Sequence, residues 1–116
     1  MTSASVEELR REVLSILERS DLSQTERVQL NSYADPSLIS QITPEGRGRI
    51  LKVTQYVYGT PNLAPISDEQ LWAAISPLKG GDPRQQFELI RAQPADARIR
   101  LSHFIVEYAK LAPAIS

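Results

Sequence analysis

His103 is the only histidine of the chain, and Glu107 follows it one helical turn later, a spacing at which a carboxylate can orient an imidazole for acid–base work. On a helical wheel it flanks an apolar stripe beside Arg100 and Lys110, so a solvated or interface histidine is expected there, not a catalytic base. Glu8 and Glu12 are also one turn apart, as carboxylate metal ligands can be, but no Glu-x-x-His sequence accompanies them. They read as a solvated helix face. The absence of cysteine removes disulfides, thiolate ligands and thiol nucleophiles together. Gly-x-Ser-x-Gly, phosphate-loop, dinucleotide and His-Glu-x-x-His patterns do not occur. The expectation is a protein that is not an enzyme and takes no cofactor and no metal.

Residue types suited to binding are easier to find. Residues 46–56 read Gly-Arg-Gly-Arg-Ile-Leu-Lys-Val-Thr-Gln-Tyr. With Ile50, Val53 and Val57 turned to a core, Arg49, Lys52 and Tyr56 share another face at i, i+3 and i+7. A basic stripe with an aromatic, after a short helix and a tight turn, is what a helix-turn-helix reader of nucleic acid presents, with Arg47 as a further cation. Gly46 and Gly48 would also let the backbone approach an anion at the helix start. Three cations on one helix are few for phosphate contact. Pairing of Arg47 and Arg49 with Glu45 or with an acidic N-terminal helix is the structural expectation. Trp72 lies beside, not within, the apolar stripe Leu71, Ile75 and Leu78; a partly exposed tryptophan of this kind can anchor a protein interface. Tyr56 and Tyr58 add amphipathic rings suited to a wet rim.

These residues must be positioned by helices. Ser5-Val-Glu-Glu8, Ser23-Gln-Thr-Glu26 and Ser67-Asp-Glu-Gln70 are capping boxes, and Asp35-Pro36, Thr43-Pro44, Asp82-Pro83 and Gln93-Pro94 each set a proline at the first helical turn. The first helix carries Leu9, Val13, Ile16 and Leu17. The second runs through Val28, Leu30, Tyr33 and Ala34, and a short third through Leu38, Ile39 and Ile42. A longer helix spans 44–58, with Gly59 as a left-handed terminal residue. Residues 60–67 contain two prolines and no period, and predict a stiff connector. Helices follow over 68–78, bent or ended at Ser76-Pro77, and from Asp82-Pro83 through Phe87, Leu89 and Ile90 after a Gly80-Gly81 break. The longest, 94–112, turns Leu101, Phe104, Ile105, Tyr108, Leu111 and Ala112 to a core, while Ile99 and Val106 lie on a second side that a partner subunit can cover.

The order capping box, Asp-Pro helix, Pro-opened long helix occurs in 23–59 and again in 67–112, with Pro44 over Pro94, Leu51 over Leu101 and Tyr58 over Tyr108 at an offset of 50. A true duplication and convergent capping grammar account for it equally well. If real, it makes two three-helix units after an N-terminal helix.

At 116 residues the chain fits one domain, residues 1–116, large enough for a core without staples. The net charge of −1 gives no overall pull toward nucleic acid or membrane. Residues 1–45 hold eight acidic and four basic side chains and residues 46–116 six acidic and nine basic, an asymmetry that permits self-complementary association. The start of the chain lacks a basic n-region and an apolar h-region, and no apolar run is long enough to span a bilayer, so a soluble cytoplasmic location is expected. The fold class expected is all-α, a compact bundle of six to seven helices. The function expected is that of a small interaction protein, a regulator, adaptor or assembly factor. It would bind a protein partner, or itself as a homodimer, through Arg49, Lys52, Tyr56, Trp72, Ile99 and Val106. The alternative is a helix-turn-helix-like regulator binding nucleic acid through Arg47, Arg49, Lys52 and Tyr56.

Overall fold

The structure, a computed structural model, describes residues 3–77 and 81–111. Among those residues there are seven α-helices and no strand: α1 (Val6–Ile16), α2 (Gln24–Ala34), α3 (Pro36–Ile39), α4 (Pro44–Gly59), α5 (Asp68–Ile75), α6 (Pro83–Arg91) and α7 (Ala95–Leu111). The fold is all-α, as the spacing of apolar residues predicts.

The helix starts follow the local chemistry. In α1 the Ser5 hydroxyl accepts from the Glu8 backbone N–H at 3.1 Å, and Glu8 Oε1 accepts from the Ser5 N–H at 3.1 Å. The same reciprocal box opens α2 at Ser23 and α5 at Ser67. Asp35, Thr43 and Asp82 cap α3, α4 and α6, each ahead of a proline at the first turn.

Several boundaries depart from expectation. α3 ends at Ile39 rather than continuing to Ile42. Residues 40–42 turn instead, so that the Ile39 and Ile42 carbonyls converge on Arg47, whose Nη1 donates to them at 3.2 and 2.6 Å. Gly59 is the last helical residue of α4 and not a left-handed terminus; the chain leaves through extended Thr60, and the left-handed conformation falls on Asn62 at φ 59°. Asn tolerates that region through local hydrogen bonding of its short side chain. α5 ends at Ile75, with Ser76 and Pro77 in a turn; Leu78, Gly80 and Ala112 lie outside the described residues.

The chain divides into two compact units, Met1–Thr60 and Pro61–Ser116. In the first, α1 packs against both α2 and α4, and α3 against α2 and α1. Leu9, Val13, Ile16, Leu30, Ile39, Ile50, Val53 and Val57 are buried. So is Glu26, whose carboxylate closes its capping box through Ser23 and accepts from the Tyr58 hydroxyl at 2.9 Å. Arg27 completes this polar corner by donating to the Leu17 and Arg19 carbonyls at the end of α1, groups that the helix itself leaves open. In the second unit α7 packs on α5 and α6, which also pack on each other. Leu71, Ile75, Ile90, Leu101 and Ile105 make its core, flanked by Ile66, Ala74 and Phe87.

Candidate interaction surface

The basic helix is more structural than its sequence suggests. Arg47 donates from Nε to the Ala4 carbonyl at 2.8 Å, in addition to its two bonds from Nη1, so its guanidinium ties the N-terminal segment and the α3–α4 turn to α4. Arg49 is half-buried, with Nε enclosed and without a hydrogen-bond partner. Neither arginine makes an ion pair among the described residues, so the expected pairing with Glu45 or the acidic helix is replaced by backbone contacts at Arg47. The two glycines are buried within the first turns of α4, and a Cβ on Gly46 would stand 2.7 Å from Ile42 Cγ2. The small size of Gly46 admits the preceding turn. Lys52 and Tyr56 are the exposed members of the stripe.

His103 is placed by α7 against the connector, its Nε2 2.6 Å from the Ala64 carbonyl oxygen. A carbonyl oxygen only accepts, so Nε2 carries the proton in that contact. Glu107, at a spacing that could orient the ring, takes Lys110 Nζ at 3.0 Å. This histidine fastens the connector to the helix. On the second side of α7, Ile99 and Val106 are half-buried.

Trp72 lies elsewhere, on an open groove between α5 and α6. The groove has a volume of about 320 Å³ and is lined by Trp72, Arg84, Phe87, Glu88 and Arg91. Trp72 retains 38% of its surface and meets Phe87 edge-on, with ring centroids 5.4 Å apart and planes at 75°. Such a pair contributes about 1 kcal/mol beyond its burial and fixes both rings. The Arg91 guanidinium stacks over Phe87 at 5.5 Å and bonds Asp68 at the start of α5 at 3.2 Å and Glu88 at 3.0 Å. These exposed ion pairs are worth little each in stability, but together they hold Arg91 flat against the aromatic pair. Arg84, at the other end of α6, makes no hydrogen bond or ion pair from its side chain among the described residues.

A second groove, of about 380 Å³, runs between α1 and α4 and is lined by Glu8, Arg11, Glu12, Ser15, Leu51 and Gln55. Gln55 donates to Glu12 across it at 3.3 Å. Glu8 is engaged in its capping box, and among the described residues no three His, Asp or Glu side chains gather as metal ligands. The surface is polar and offers no aromatic anchor.

Of the residues predicted from sequence, the structure brings Arg49, Lys52 and Tyr56 onto one helix and Ile99 and Val106 onto another, with Trp72 on α5. Phe87, Arg84, Glu88 and Arg91 were not anticipated. Their signal was legible in part: Arg84, Glu88 and Arg91 fall at i, i+4 and i+7 on one face of α6, and Asp68 lies one turn before Trp72 on α5. No protein-family model matches this chain, nor does any curated protein or solved structure. Function must therefore be argued from the site.

Proposed function

We propose that the protein is a small interaction protein, a regulator, adaptor or assembly factor, that binds a partner protein through the groove between α5 and α6. One observation carries this reading: the only tryptophan of the chain stands 38% exposed, steadied by Phe87, on a groove rimmed by arginines. Trp and Arg are the residues in which binding energy concentrates, and rings already ordered lose little entropy on association. No step of this reading requires catalysis. Binding through Arg49, Lys52 and Tyr56, or self-association through Ile99 and Val106, belongs to the same class of function. The test is cross-linking of the full chain in native extract with three proteins compared: wild type, Trp72→Ala and, as an exposed apolar control, Leu89→Ala. The specific partner should fall more than ten-fold with Trp72→Ala and persist with Leu89→Ala; equal capture by all three would sink the groove as the binding site.

Nucleic acid is the competing proposal. Against it weigh the engagement of Arg47 with three carbonyls and the partial burial of Arg49, which leave Lys52 as the open cation of that stripe. A duplex-binding affinity that falls steeply with salt and with Arg49→Ala would restore it.

A further inference from the structure

We propose that the α5/α6 groove takes an acidic, apolar-anchored segment of a partner protein, with one apolar side chain on Trp72 and Phe87 and a carboxylate on Arg84. This deepens the interaction reading above and rests on it. Charge is unevenly answered along the groove. At the Asp68 end the single Arg91 guanidinium is already shared between two carboxylates, Asp68 and Glu88, and has no charge left to offer a ligand. The Arg84 side chain makes no such pair among the described residues. Beyond Trp72, α5 continues Ala73, Ala74 and Ile75 and offers no carboxylate. The nearby Asp82 carboxylate accepts from the Arg84 and Gln85 backbone N–H groups at 3.0 and 3.4 Å as the cap of α6. Arg84 therefore presents an open guanidinium one helical turn from Phe87, beside a fixed aromatic floor. A ligand completing both features carries its apolar and acidic side chains roughly 5 Å apart, one turn of a helix. A cationic ligand seated on the Trp72 ring would meet the unpaired Arg84 at the rim and be repelled there.

The experiment is selection of a displayed library of random helical peptides on the immobilised full chain, followed by titration of a synthetic selected peptide read by the emission of Trp72, the single tryptophan. The enriched peptides should pair Phe, Leu or Met with Asp or Glu one turn away. Replacing that acid by Lys should weaken binding about five-fold, the scale of one exposed charge pair changed from attraction to repulsion. Arg84→Glu, an exposed substitution checked for retained helicity by circular dichroism, should reverse the preference. Neutral or basic peptides whose capture is lost with Trp72→Ala would overturn the acidic partner and leave the groove as a binding site. An absence of enrichment, or capture indifferent to Trp72→Ala, would overturn the groove reading as well.

Discussion

Gly46 shows how a single residue type can carry two opposite meanings. A glycine inside a helix ordinarily costs about 1 kcal/mol relative to alanine, so Gly→Ala there is expected to stabilise. At Gly46 the added methyl would lie 2.7 Å from Ile42 Cγ2 and 3.2 Å from the Thr43 hydroxyl that caps the helix. The clash outweighs the propensity gain, and Gly46→Ala should destabilise by about 1–2 kcal/mol in urea unfolding. Gly59→Ala is the matched control: nothing lies within 4 Å of its Cβ position, and it should be neutral or stabilising by up to about 1 kcal/mol. Equal effects at the two sites would mean that the α3–α4 turn yields freely. Arg47 makes the same point for charge. Its guanidinium reads as a nucleic-acid contact in sequence, and in three dimensions its donors meet the carbonyls of Ala4, Ile39 and Ile42.

At the scale of elements, short helices depend on their ends. α5 has only eight residues, too few to persist by propensity alone, and is held by its cap and by Leu71 and Ile75 in the core. The Ser67 hydroxyl accepts from the Gln70 N–H at 3.2 Å. Ser67→Ala should cost about 1 kcal/mol, seen as an earlier urea midpoint in Trp72 emission. An unchanged midpoint would mean that core contacts alone define α5. Because Asp68 at the first position of α5 anchors Arg91, the same cap helps to place the groove rim. α6 contributes both its inward Ile90 and its rim residues Arg84, Glu88 and Arg91, which is the ordinary division of an amphipathic helix put to use at a site.

At the scale of the whole molecule the division at Thr60 and Pro61 changes the reading of charge. Cut at residue 45, the sequence looks acidic then basic. Cut where the units divide, the first holds eight acidic and seven basic side chains and the second six of each, so neither unit carries the opposing field that would favour head-to-tail pairing. The first unit has its own buried apolar set and its own polar corner around Glu26, Tyr58 and Arg27. A fragment of residues 1–60 should therefore melt cooperatively by circular dichroism with a stability of only a few kcal/mol, as a domain of that size buries about 60% of its unfolded surface. A featureless, non-cooperative melt would show that this unit depends on the rest of the chain.

The sequence by itself determined the all-α class and nearly every helix start, because capping is settled within four residues: Ser5, Ser23 and Ser67 each meet the residue three positions on, and Asp35, Thr43 and Asp82 precede a proline. Periodicity likewise found Leu9, Val13, Leu101 and Ile105 for the core. Tertiary structure alone decided where side chains meet across helices: that Arg47 reaches Ala4, that His103 reaches Ala64, and that Phe87 and Arg91 of α6 come to Trp72 and Asp68 of α5. Those pairings depend on which helices pack together, and a local pattern of three or four residues holds no information about its distant partner.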